Sequence, residues 1–255
     1  MPKTLKDEYQ TRLQKLKNIR EAGINPYPER FDKLQSVAEV LSLVEKKKVQ
    51  TAGRLLMVRD MGKIAFAHMQ DSTGKVQLVF KQDELGKDEM KRFVKSFDAA
   101  DFIGVEGKTF KTQKGERSIL ISKFTMLGKA LRPLPEKWHG LKDQEVKYRQ
   151  RYLDLISNEE TFDRFVFRSD FIKALREFYW KEKFLEVETP TFLHQATGAT
   201  ATPYKTHNNA LDIDVYLRIS HELPLKELIV GGFEKIFELG KAYRNEGFDP
   251  SHLPE

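Results

Sequence analysis

The stretch FELGKAYRNEG sets Arg244 and Glu246 two positions apart. On an extended strand, side chains two apart share a face and stand roughly 7 Å apart. Glu238, Gly240 and Ala242 would share that face, with Phe237, Leu239 and Tyr243 pointing the other way. Small residues beside a fixed guanidinium leave room for a flat ligand. Arginine also clamps phosphate through paired hydrogen bonds. The same spacing fits an exposed hairpin with a surface ion pair. A second stretch, VYLRISHE, puts Arg218, Ser220 and Glu222 opposite Leu217 and Ile219. ELPLKELIVGG then reads as a helix closed by Gly231 and Gly232. Pro224 fits only its first turn, so the helix must begin close to Ser220 or His221. Glu222 therefore stands at a strand-to-helix corner. A carboxylate there can receive a ligand amine, or simply be favoured by the helix dipole.

Other chemistries leave no trace. There is no G-x-x-x-x-G-K-[ST] phosphate loop and no G-x-G-x-x-G dinucleotide turn. The six histidines form no H-x-x-x-H pair, and there is no cysteine, which excludes disulfides and thiolate metal sites. No apolar run approaches the roughly 20 residues of a membrane span, and the N-terminus has no signal-peptide core. The expected compartment is the cytoplasm, with no membrane partner. The 255 residues are 40% hydrophobic and 32% charged, with net charge +6. That balance suits a polyanion such as nucleic acid, and equally a mildly basic soluble protein.

The elements that must position these residues fall into four expected segments. Residues 1–48 form an N-terminal helical extension. Leu5, Tyr9, Leu13 and Leu16 recur at helical steps over 5–22. A second helix starts at Ser36, where SVAE is a capping box, and its apolar face is Val37, Val40, Leu41 and Val44. That helix is expected to end in Lys46, Lys47 and Lys48, which the dipole favours there, unless the run contacts phosphate. Residues 49–130 change to period two, as four or five short strands with a charged helical insert at about 83–97. The pattern fits an OB-fold, a five-stranded barrel that binds oligonucleotides on one face. Residues 131–158 read as an ordered connector. Residues 159–255 open with a long helix, about 159–183, whose apolar residues imply packing on two sides. The strand FLEVETP follows and ends at Pro190.

FRSDFIKALREFYWKEKFLEVETP resembles motif 1 of class II aminoacyl-tRNA synthetases, and FELGKAYRNEG resembles the first half of motif 2. With the barrel, KALRPLPEKWHGLKDQEVKYRQRYLDLI and the Glu222-Leu223 pair are most similar to the lysyl subclass. The resemblance covers nearly the whole chain. The implied architecture is an α+β and all-β mix: N-terminal helices and OB-fold barrel, then the first part of a class II antiparallel sheet with flanking helices. The implied activity is ATP-dependent ligation of L-lysine to tRNA(Lys) through a lysyl-adenylate.

The resemblance also implies roles. Arg244 and Glu246 match catalytic, ATP-contacting positions, and His252 matches a residue near the phosphates. Gly198, Ser220 and Glu222 match the lysine pocket. Arg59, Phe66, Gln77 and Glu116 match anticodon contacts, Phe66 by stacking on a base and Gln77 by bonding the middle uridine. Taken alone, Phe66 would sooner be barrel core, and the full family pattern reverses that preference. Pro190 marks the motif 1 strand, which implies a homodimer. His221 and Pro224 depart from the family pattern, which has proline and an aromatic there. No metal ligand is expected in this chain. Motif 3 and the residues that hold Mg2+ belong beyond Glu255, so the chain is expected to be a partial version, prone to instability. The alternatives are an aspartyl or asparaginyl ligase, a barrel-less ligase that lysylates elongation factor P, and a non-catalytic tRNA-binding fragment.

Overall fold

The computed structural model describes residues 5–113, 115–134, 141, 143–196, 199–247, 249 and 253–255. The chain divides into two compact units at Asn158.

The first unit begins with helices α1 (Leu5–Glu21) and α2 (Val37–Ser42). Strands β1 (Lys48–Asp60), β2 (Ile64–Asp71) and β3 (Gly74–Lys81) follow. Helices α3 (Gln82–Leu85) and α4 (Lys87–Ser96) precede strands β4 (Phe102–Lys111) and β5 (Arg117–Gly128). The five strands close a barrel in the order β1-β2-β3-β5-β4. Closure depends on the length of β1. Its first half pairs with β4 and its second half with β2, with an irregularity between Leu55 and Met57 where it changes partner. The two-residue alternation is visible in burial: Ala65, Ala67 and Met69 of β2, and Val76, Leu78 and Phe80 of β3, point inward. The helical insert plugs one end. Phe93 of α4 stacks on Phe80 at 3.7 Å, and both meet Phe124 edge-on.

A part-buried ion pair from Lys15, built on a buried lysine–aspartate cluster, ties α1 to this barrel. Lys129 Nζ lies 2.6 Å from Asp98 and 2.7 Å from Asp101, while Lys15 reaches Asp98 from the helix. Arg12 donates to the carbonyls of Ala99 and Ala130. The capping box at Ser36 forms as its sequence requires. The lysine run, however, does not end α2. The helix stops at Ser42 because Arg117 donates to the carbonyls of Leu41 and Leu43, filling the role expected of the lysines. Lys46 turns the chain at φ +63°, Lys48 already belongs to β1, and Val44 is exposed. Helices α5 (Gln144–Arg149) and α6 (Arg151–Ser157) close the unit.

The second unit opens with α7 (Glu159–Lys181), followed by short strands β6 (Leu185–Glu186), β7 (Phe192–Leu193), β8 (Lys205–Asn208) and β9 (Ile213–Leu217). Helix α8 (Glu222–Val230) and strand β10 (Ile236–Phe237) complete it. Strand β10 pairs parallel with β6, and β9 lies between β7 and β8. The expectation that α7 packs on two sides is not met within this chain. None of its residues is buried, and Phe167, Phe171, Phe178 and Trp180 are all more than half exposed. Its inner contact is narrow: Tyr179 stacks on Phe237 at 4.6 Å, and Arg176 pairs with Glu186.

Candidate functional site

On the barrel, Arg59, Phe66 and Gln77 lie on the outer face of adjoining strands, and Glu116 stands beside Gln77 in the loop just before β5. Arg59 of β1 is directly opposite Phe66 of β2, and His68 of β2 is opposite Gln77 of β3. Gln77 is in turn paired with Ser118 of β5. Phe66 alternates with the buried Ala65 and Ala67, so it faces out and is half-buried. It is not part of the core, which settles the alternative left open by its sequence. Arg59 is exposed beside it.

Hydrogen bonds tie the other residues together. Gln77 Nε2 donates to Glu116 Oε2 at 3.0 Å, and Ser118 Oγ donates to Gln77 Oε1 at 2.9 Å. His68 Nε2 stands 3.5 Å from Glu116 Oε1. The result is an aromatic face, a cation and a fixed amide side by side. That combination can stack a flat base and read its edge. His68 and Ser118 were missed. His68 could have been found from its two-residue spacing to Phe66, but Ser118 depends on a parallel pairing that no local pattern reveals.

In the second unit the expected long strand does not form. After Phe237 the backbone leaves regular structure because its donors find separate partners. Tyr243 N–H bonds Arg218 O, Arg244 N–H bonds Pro254 O, and Asn245 N–H bonds Thr202 O. The expected ligand space beside Gly240 is also filled. A Cβ there would collide with Arg218 Nη2 and lie 2.7 Å from His221 Nε2 and 3.0 Å from Glu238 Oε1. The glycine admits a buried ion pair where a flat ligand was expected.

That pair is Arg218 and Glu238, at 2.5 Å with both side chains buried. Arg218 Nη1 also donates to the carbonyl and hydroxyl of Thr189, and Nε donates to Lys241 O. Thr189 Oγ1 donates to the second oxygen of Glu238. Burial would raise the Glu238 carboxyl, but hydrogen bonds from Thr189 and Arg218 outweigh it and hold it below the usual carboxylate value. His221 covers the pair. Burial first, then the charge of Arg218, pushes its imidazole below the usual value against the pull of Glu238.

Arg218 is thus the residue through which the Ser220–Glu222 corner meets the segment bearing Arg244 and Glu246. Helix α8 begins at Glu222, so Pro224 sits in its first turn, as expected. Ser220 Oγ accepts the Glu222 N–H at 3.3 Å, and the Glu222 carboxylate holds Lys226 at 2.6 Å. Arg244 is exposed, as is Glu246, whose Oε1 accepts the Thr202 N–H. Pro190 is exposed directly after Thr189. Gly198 and His252 lie outside the described residues. Among the described residues no three acidic or histidine side chains are grouped to hold a metal, and no helix is long and apolar enough to cross a membrane.

Comparison with known proteins fits both units. Residues 49–127 match the family model for an OB-fold nucleic acid binding domain. Residues 143–255 match that for class II tRNA synthetases (D, K and N). A closed barrel of this type joined to a class II synthetase domain defines the class. Among curated relatives, the lysine–tRNA ligase of Lactococcus lactis subsp. lactis is 48% identical over 98% of this chain and 53% of its own length. That of Carboxydothermus hydrogenoformans is 50% identical over 98% and 52%, and that of Thermotoga maritima 46% over 98% and 52%. The chain belongs to the class II lysyl-tRNA synthetase family, and it spans about half the length of the curated relatives it matches.

Proposed function

We propose that this chain belongs to an enzyme that ligates L-lysine to tRNA(Lys) in the cytoplasm, with ATP as co-substrate. Its barrel reads the anticodon, and residues 159–255 form part of the catalytic domain. The observation that carries this reading is the convergence of Arg59, Phe66, Gln77 and Glu116 on one outer barrel face. Phe66 stacks on a base, Arg59 supports the backbone phosphates, and Gln77 bonds the middle uridine.

On the catalytic side, Glu222 receives the lysine α-amino group, exchanging its exposed Lys226 partner for the substrate cation. Ser220 lines the pocket, to which the family resemblance also assigns Gly198. The lysine carboxylate attacks the ATP α-phosphorus, pyrophosphate leaves, and a lysyl-adenylate forms. Arg244 stabilises the negative charge gathering on the phosphoryl oxygens. Glu246 contacts ATP, and the family resemblance assigns His252 to its phosphates. Mg2+ would screen phosphate charge in such a reaction, and among the described residues no three acidic or histidine side chains are grouped to hold it. The exposed aromatic residues of α7, followed by Pro190, fit burial against a second copy in a homodimer.

Amino-acid-dependent ATP–pyrophosphate exchange tests the chemistry. Exchange driven by lysine and not by aspartate or asparagine is expected. Exchange driven by either of the others overturns the reading.

A further inference from the structure

We infer that Glu116 and Ser118 lock the amide of Gln77 in one orientation, and that this lock makes the barrel face discriminate uridine from cytidine. The inference rests on the reading of that face as a base-reading surface. A glutamine amide has two ends of nearly equal shape, one donating and one accepting. Turned through half a circle, it presents the opposite pattern. Uracil offers a carbonyl acceptor at position 4 and an N–H donor at position 3. Cytosine offers an amino donor at position 4 and a bare nitrogen acceptor at position 3. One amide orientation therefore fits uracil, and its reverse fits cytosine in the same pose. A freely turning glutamine would accept both.

In this barrel the amide is not free to turn. A carboxylate accepts and does not donate, so the end of Gln77 facing Glu116 at 3.0 Å must be the NH2. The carbonyl end then faces Ser118, whose hydroxyl must donate to it, at 2.9 Å. A second acceptor for that hydroxyl, Glu116 O, is more distant at 3.3 Å. Ser118 is buried and directly paired with Gln77 across β3 and β5, so its hydroxyl has little freedom to leave. Glu116 is itself held: its N–H bonds Thr112 Oγ1 at 3.1 Å, its carbonyl accepts the Thr112 N–H at 2.9 Å, and His68 flanks its other oxygen. With one N–H and one lone pair of Gln77 occupied, one of each remains for a base. Glu116 and Ser118 are positioning residues acting through Gln77.

The test measures binding of the full chain to anticodon stem-loops UUU and UCU at one fixed salt concentration. Wild type is expected to prefer UUU. Glu116→Gln replaces the acceptor-only group with an amide that can also donate, so it should release the lock. The ratio of the two affinities is expected to fall by about tenfold, more than the affinity for UUU itself. Ser118→Ala, checked by thermal melting for an intact barrel, should lower the ratio in the same direction. Wild-type ratios in both variants would overturn the inference and leave the base-reading assignment standing. Equal loss of both loops would also overturn it, since that marks a contact without selectivity. A wild-type chain that treats the two loops alike removes the base-reading assignment, and the inference with it.

Discussion

Arg218 Nη1 lies 2.5 Å from Glu238 Oε1, and both side chains are buried beneath His221. Through Lys241 O and its own carbonyl, Arg218 also fixes the segment that leads to Arg244. Removing one partner strands a buried charge, which costs about 3–5 kcal/mol. Arg218→Met is therefore expected to lower the stability of residues 159–255 by that order, read by hydrogen exchange across the two units. Exchange in the barrel should not change. Unchanged protection in the second unit would contradict the assignment of this pair as its clamp.

Gly240 makes the same point from the other side. Gly240→Ala puts a methyl group against the guanidinium and the His221 ring. Overpacking of this kind costs about 1–3 kcal/mol. A lower urea midpoint for the second unit is expected. A neutral effect would mean that Arg218 has room to move.

Asp71 gives a pH prediction in the barrel. Its Oδ2 accepts the Val37 N–H at the start of α2 and pairs with Lys33, and its Oδ1 accepts from Thr73 and Gly74. Burial would raise this carboxyl, but the bonds from Lys33, Thr73 and Val37 prevail and lower it to about 2. Because the folded value lies below the unfolded one, the stabilisation is complete above the ordinary carboxylate range and is lost as pH falls toward 2. Asp71→Asn should cost about 1–3 kcal/mol at pH 7. The gap between variant and wild type should narrow in acid. Thermal melts at pH 7 and pH 2.5 check it, and a gap that stays constant would refute the carboxylate's role.

Phe66→Ala separates binding from folding. The ring faces outward, so its removal should barely move the melting temperature. Loss of base stacking should weaken stem-loop binding by about 1–3 kcal/mol. A large fall in melting temperature with intact binding would reverse the roles given to this residue.

The two-residue sequence period made the barrel legible, and the family resemblance supplied Arg59, Phe66, Gln77 and Glu116 on its outer face. The capping box at Ser36 and the first-turn position of Pro224 were legible too, because each depends on neighbours only a few residues away. What was not legible depends on distant partners. The Gly240 space looked open until Arg218, 22 positions earlier, was seen to fill it. The lysines after Val44 looked like a helix end until Arg117 supplied that function from β5. The strand expected at 237–246 dissolved because its backbone groups bond Arg218, Thr202 and Pro254 in place of a single neighbour.

The most direct measurement is a titration of the whole chain against anticodon stem-loops bearing UUU, GUC and GUU, all at the same moderate salt. A clear preference for UUU, the lysine anticodon, is expected. Equal affinity for all three, or a preference for GUC or GUU, would contradict it.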